Sequence, residues 1–350
     1  MARSLGFLLA LAVPAVAAQQ PAPGGQIQVQ VNVVNVPVTV TDANDRFIMD
    51  LDKKDFRLWE DGKPVEVRYF TRDPKQPVTV GFLLDMSSTA KLYFKTYQDA
   101  ITDLAFNLLP GDNQNKGFLA TYSSTADILV KPTGDADSIA EKIRKLKPGG
   151  GSAMLDAIYH ACTKYFVVKG QPNEPKRVLV VVGDGHDNAS KVSLEQALEA
   201  AQRAQVVIYA VSTVAYGFHQ PEEANLVRLA EETGGRVERP LHKIHDKVSG
   251  YLSNPSDEGN YAYKVGTGQY AAELSGKLYK AILDITGDIS HQYVLGYNPL
   301  TAFSDGKFRA IKVEVDLKDV AYKLRARKGY FPPVVEKTAG SATAASPGAR

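Results

Sequence analysis

Apolar and polar positions take turns one by one from Ile27 to Val33 and again from Val36 to Thr41, the period-2 pattern of half-exposed antiparallel strands. Phe56 to Phe70 repeats the pattern as two runs joined around Asp61-Gly62, a pair suited to the tight turn of a β-hairpin. The sequence before Pro77 therefore predicts a small all-β unit over residues 27–76. At Val78 the alternation stops. Val78-Thr79-Val80-Gly81-Phe82-Leu83-Leu84 is apolar nearly throughout and ends at Asp85, as a parallel strand covered on both faces would.

From there strand and helix patterns alternate. Helices are expected over Tyr97–Leu109, Ala136–Leu146, Met154–Val167, Leu194–Ala204 and Pro221–Glu232, and strands over Gly117–Tyr122, Ile128–Val130, Val178–Val182 and Val206–Val211. This predicts an α/β fold, a doubly wound, mainly parallel sheet with ligands at the carboxyl ends of its strands, spanning residues 77–290. Within it, Leu241 to Tyr270 loses periodicity and gains Gly, Ser, Asn and Tyr. An insertion loop is expected there, either packed locally or offering an aromatic contact surface. Leu274, Leu278, Ile282, Ile285 and Ile289 then mark a closing helix. Gln292–Tyr297, Lys307–Val315 and Ala321–Arg327 return to alternation. These C-terminal strands, residues 291–332, are expected to pack with the N-terminal unit as a small second domain, because each set alone is marginal in water. The tail, residues 333–350, is too poor in apolar groups to order itself.

A hydrophobic fraction of 44% over 350 residues supports a packed core and excludes a disordered chain. Lys and Arg number 41 against 39 Asp and Glu, a net charge of +2, so nothing draws the chain to nucleic acid. Met1-Ala2-Arg3, the apolar stretch Leu5 to Val16 and the small residues before Gln19 form a secretory signal peptide, residues 1–18, followed by a linker over 19–26. The expected address is periplasmic, cell-surface or secreted, with no transmembrane anchor after cleavage; retention of the segment as an anchor is the alternative. Cys162 is the single cysteine, so no intrachain disulfide forms, and its helical setting suits a packed core thiol.

The candidate chemistry lies at strand ends. Asp85, Ser87 and Thr89 offer oxygen donors within one turn, a set suited to a hard divalent cation. Gly149-Gly150-Gly151 precedes Ser152 at the start of a predicted helix, and Asp184 closes the apolar strand Val178–Val182. Three segments thus converge on one sheet edge. The arrangement resembles the von Willebrand factor type A (VWA) domain, whose metal-ion-dependent adhesion site uses Asp-x-Ser-x-Ser, a Thr after a glycine pair and the Asp of Thr-Asp-Gly. Here Thr89 stands for the last Ser, Ser152 for the Thr, and Gly183 precedes Asp184 in place of Thr.

The wider layout looks like the exported bacterial VWA-related family abundant in acidobacteria. Its marks are Asn32–Val40 and Glu60-Asp61-Gly62 before the domain, and Gln292–Tyr297 and Arg325–Tyr330 after it. The resemblance implies Mg2+ as cofactor, with Mn2+ or Ca2+ as alternatives. Ser87, Thr89 and Ser152 would bind directly and Asp85 and Asp184 at least partly through water. A partner protein's Asp or Glu would complete the shell, making the chain an adhesion module. Two other functions stay open: a structural envelope scaffold whose ion only ties loops, and a metal-assisted hydrolase. Against the latter, the sequence carries no Gly-x-Ser-x-Gly, His-Glu-x-x-His or phosphate loop ending in Gly-Lys-Ser/Thr, so no enzyme is expected. His186 and Asp187 either line the rim of the site or form an exposed polar turn. His242, His245 and Asp246 lack a second ligand pair and read as solvated loop residues.

Overall fold

A computed structural model describes residues 33–92, 94–214, 221–241, 268–301, 306–318 and 320–332. The expected signal peptide, linker and tail, the strand expected before Val33 and most of the expected insertion lie outside these residues, as do His242, His245 and Asp246. Four strands come first: β1 (Val34–Asp42), β2 (Phe56–Glu60), β3 (Lys63–Val65) and β4 (Tyr69–Thr71). The α/β part follows as β5 (Val78–Asp85), α1 (Phe94–Leu108), β6 (Lys116–Tyr122), β7 (Ala126–Thr133), α2 (Ala136–Arg144), α3 (Met154–Tyr165), β8 (Lys176–Gly183), α4 (Leu194–Arg203), β9 (Val207–Ser212), α5 (Glu223–Thr233), β10 (Val237–Glu238) and α6 (Gly268–His291). The chain closes with β11 (Tyr293–Tyr297), β12 (Arg309–Val315), β13 (Tyr322–Ala326) and β14 (Gly329–Tyr330). Helix α6 begins at Gly268, so the last residues of the expected insertion belong to it.

The central sheet has the order β10-β9-β8-β5-β6-β7, parallel except for β7, which runs antiparallel to β6. Both of its faces are covered, which is why the strands read as unbroken apolar runs. Val78, Val80, Phe82 and Leu84 pack on one side with Ile101, Leu104, Leu278 and Ile282. Leu83, Leu179 and Val181 pack on the other with Ile158, Ala197 and Leu229. From β5 the chain lays β6 and β7 to one side, then crosses to lay β8, β9 and β10 on the other. The carboxyl ends of β5 and β8 therefore flank the topological switch point, where an open α/β sheet forms its crevice.

The flanking strands make two antiparallel sheets, β13-β1-β11-β4 and β14-β12-β2-β3. Val36 pairs with Leu295 and Val38 with Ala326. The inner faces meet in a core of Val34, Val36, Val38, Val40, Phe56, Leu58, Tyr293, Leu295 and Ile311. The Asp61-Gly62 turn joins β2 to β3, both residues at positive φ, 48° and 75°, as a type I′ hairpin requires. The run expected to continue to Phe70 breaks after Val65. Arg68 donates its N–H to Gly296 O, and β4 joins the other sheet beside β11.

Strand β1 differs from the half-exposed strand its alternation predicts, for its polar residues Asn35, Thr39 and Thr41 are buried as well. The α/β part meets the strand at its start and the loop after it: Val33 N–H donates to Gly170 O and Asn35 Nδ2 to Gln171 O at 2.8 Å, while Phe47 stacks on His291 at the end of α6. The same joint holds a buried ion cluster. Arg325 of β13 donates to both oxygens of Asp288 on α6 at 2.8 and 2.9 Å, and Arg236 lies 3.2 Å away. Lys176 donates to Ile289 O at 2.6 Å, at the last turn of the same helix. All described residues belong to one compact unit.

Candidate metal-ion site

The crevice at the switch point gathers all five residues singled out by the sequence. Asp85 is the last residue of β5, Asp184 the first after β8, and Ser152 stands two residues before α3. Ser87 and Thr89 lie in the turn that follows β5 and leads into a short 3-10 turn, Thr89–Leu92. Asp85, Ser87, Ser152 and Asp184 are each no more than 5% exposed. Polar side chains buried to that degree need partners.

Most of these groups partner one another. Ser87 N–H donates to Asp85 Oδ1 at 2.6 Å. The Ser87 and Thr89 hydroxyls lie 2.8 Å apart, and Thr89 Oγ1 donates to Asp184 Oδ2 at 3.2 Å. Asp184 Oδ1 accepts His186 N–H at 2.9 Å. Ser152 Oγ donates to His186 O at 2.7 Å, and Ser152 N–H to Asn188 Oδ1 at 2.9 Å. One atom stands apart: Asp85 Oδ2 is buried without a hydrogen-bond partner. Burial, opposed by the Ser87 hydrogen bonds and reinforced by the Asp184 charge, pushes the Asp85 carboxyl up from 3.8 to about 6. An electron pair left so exposed inside the protein calls for a cation.

The donor set is two carboxylates and three hydroxyls, oxygen throughout, which matches a hard divalent ion better than a metal that seeks thiolate or imidazole. Among the described residues, no group of three or more His, Cys, Asp and Glu side chains forms a metal cluster. Asp187 is turned to another task. Its Oδ2 accepts Leu155 N–H at 2.8 Å and Ser190 Oγ at 2.7 Å, and its Oδ1 accepts Ser190 N–H at 3.0 Å. That fixes the first turn of α3 and with it Ser152. His186 is half-buried and serves the site through its backbone.

Residues 79–247 match the family model of the von Willebrand factor type A domain. This stretch is a von Willebrand factor type A domain. No curated protein matches the sequence. Solved structures similar to the chain include proximal thread matrix protein 1 from the mussel byssus, described in one form with a zinc-occupied MIDAS motif. It is 16% identical with a TM-score of 0.44, over 66% of this chain and 50% of that one. BatB from Bacteroides thetaiotaomicron is 15% identical with a TM-score of 0.37, over 58% of this chain and 99% of that one. An aerotolerance-related membrane protein from Bacteroides fragilis is 17% identical with a TM-score of 0.37, over 46% of this chain and 90% of that one. The chain thus spans half the length of the mussel protein. Among the described residues of the type A domain and its flanking strands, no helix is long and apolar enough to cross a membrane.

Three residues of the type A site escape sequence reasoning. Asn188 holds Ser152, Ser124 Oγ accepts Gly151 N–H at 3.0 Å, and Tyr122 lies beneath the carboxylates. Tyr122 pairs with Asp85 in register and donates its hydroxyl to Val182 O at 3.0 Å. Burial, then the charges of Asp85, Asp184 and Asp187, raise its pKa well above the usual tyrosine value. The phenol also accounts for Gly183, since a Cβ there would lie 2.0 Å from Tyr122 Oη. Its one sequence signal is its place at the end of a strand neighbouring β5.

Proposed function

We propose that the protein is an exported binding module. Asp85, Ser87, Thr89, Ser152 and Asp184 hold a divalent cation, Mg2+ in the first instance with Mn2+ and Ca2+ as alternatives, and through it capture an Asp or Glu of a partner protein. The observation that carries this reading is the buried, unpartnered Asp85 Oδ2 among four other oxygen side chains at the switch point. When bound, the ion supplies a hard electrophilic centre for a carboxylate oxygen. Asp85 and Asp184 balance its charge, while the three hydroxyls are neutral donors that leave the centre underneutralised and receptive to an incoming carboxylate. Binding is preferred to a scaffold role in which the ion only ties loops. The loops are already tied directly, Ser152 to His186, Asn188 to Ser152 and Thr89 to Asp184. We read the site as one with no reaction of its own.

Calorimetric titration of the chain with Mg2+ and Mn2+ tests the ion. Asp85→Ala is expected to weaken binding by about 100-fold or more, since loss of even an indirect partner of a metal site costs 10–100-fold. Unchanged binding would place the ion elsewhere. Pull-down from envelope extract with and without chelator, competed by a soluble acidic peptide, tests the carboxylate. A partner retained in chelator would reject the ion's part in capture.

A further inference from the structure

We propose that a small inorganic anion of chloride size is bound in the joint between the type A domain and the flanking strands, held by the Arg327 guanidinium and the amide of Gln205. Arg327 follows β13, Gln205 precedes β9, and they are only 4% and 2% exposed. One guanidinium nitrogen is engaged: Nη2 donates to Gln205 O at 3.0 Å. Arg327 Nε and Nη1 have no hydrogen-bond partner among the described residues, and neither has Nε2 or Oε1 of Gln205. Native interiors rarely leave so many polar atoms of two touching residues unpaired, and least of all donors on a charged group.

The charge around Arg327 has the wrong sign to satisfy it. Burial first and the nearby Arg177 second push its pKa down to about 9. Arg177 is itself buried, its Nε donating to Val167 O at 3.0 Å and its Nη2 pairing with Glu174. Glu174 is fully used, also accepting the N–H groups of Lys169 and Gln171. Glu60, the carboxylate of the neighbouring sandwich core, accepts Tyr297 and Tyr330 hydroxyls at 2.7 and 3.0 Å and Leu300 N–H at 3.0 Å. Tyr297 and Tyr330 also act on Arg327, yet burial holds both phenols protonated well above the usual value. Arg177 thus takes Glu174, Glu60 is taken up by the two phenols and the Leu300 N–H, and among the described residues no carboxylate pairs with Arg327.

A monovalent spherical anion answers the three unpartnered donors, Arg327 Nε and Nη1 and Gln205 Nε2, together with the charge. It accepts N–H donors from several directions, brings no donor of its own, and cancels the charge that a water molecule would leave. Because Arg327 and Gln205 come from different parts of the fold, the anion would also pin the sandwich to the type A domain.

Crystals of the full chain equilibrated with sodium bromide, measured at the bromine absorption edge, test the proposal. An anomalous peak within hydrogen-bond distance of Arg327 Nε or Nη1 is expected. Ordinary water density there with no anomalous signal overturns the idea. In solution, replacing gluconate by chloride at fixed ionic strength should shift the wild-type folding equilibrium toward the folded state by about tenfold once chloride exceeds its Kd tenfold. Arg327→Met should show no such shift, and an equal response from both chains overturns the idea. If Arg327→Met fails to fold, the bromide experiment on the wild-type chain decides.

Discussion

A side chain at position 183 has no room. Its Cβ would meet Tyr122 Oη at 2.0 Å, Tyr122 Cζ at 3.3 Å and Asp85 Oδ2 at 3.3 Å. The residue before Asp184 and the last residue of β6 are therefore a matched pair, a small backbone position and a phenol that fills the space over it. Gly183→Thr is expected to cost about 1–3 kcal/mol of stability through overpacking. Tyr122→Phe in the same chain should recover part of the loss, because the closest atom is removed and the ring lies at a tolerable distance. Thermal melts of the single and double variants check this, and a Gly183→Thr chain that melts with the wild type would show that the phenol swings aside. Lys176 offers a second test at this scale. Burial, opposed by Asp73, lowers its ammonium from 10.5 to about 8. Between those values the unfolded chain holds the proton and the folded protein has lost it, so stability rises with pH across that window. Below it both states are charged and the folded protein bears the whole desolvation cost. The melting difference between wild type and Lys176→Met should be constant below pH 8 and turn in the wild type's favour above it. A difference constant throughout would mean that the buried ammonium titrates normally.

At the scale of elements, α3 shows how a site residue is placed from outside its own helix. No side chain of Ala153, the N-cap residue, closes the first turn. Asp187 and Ser190 reach across from the loop after β8, to Leu155 N–H at 2.8 Å and Asp156 N–H at 2.9 Å. Asp187→Ala is expected to cost about 1 kcal/mol, the usual loss for a removed helix cap, and to weaken ion binding because Ser152 loses its anchored turn. Paired melts and calorimetry would show it. A variant that loses stability with undiminished ion affinity would confine Asp187 to the helix. These cross-loop contacts also mark what a sequence yields and what it withholds. Asp85 and Asp184 are legible because an apolar run stops at each, and β5 and β8 are legible for the same reason. Asn188 and Tyr122 are not, since one acts through a loop contact and the other through strand register. The alternation of β1 tells which face is apolar, yet it is silent on what covers the polar face. The hairpin is announced by Asp61-Gly62, while the step of β4 into the other sheet has no local mark.

On the scale of the whole molecule, β1 has β11 on one side and β13 on the other, and Arg325, Arg327 and Lys328 reach from the end of the chain to Asp288, Gln205 and Glu232. A chain cut to residues 77–291 keeps its sheet and helices intact and is expected to fold and bind divalent cation. A chain ending at residue 291 but retaining β1 leaves that strand with two open edges and an apolar face in water, and is expected to aggregate. Light scattering and hydrogen exchange distinguish the outcomes. A monomeric chain with β1 as protected as in the full protein would show that the strand finds other cover. The pairing of Val38 with Ala326 also sets a timetable. During synthesis the α/β part has every strand it needs long before β13 leaves the ribosome, and parts of a chain that can fold as units do so in order of appearance. One of the first described strands must thus wait for nearly the last, so the sandwich is expected to close after the type A domain.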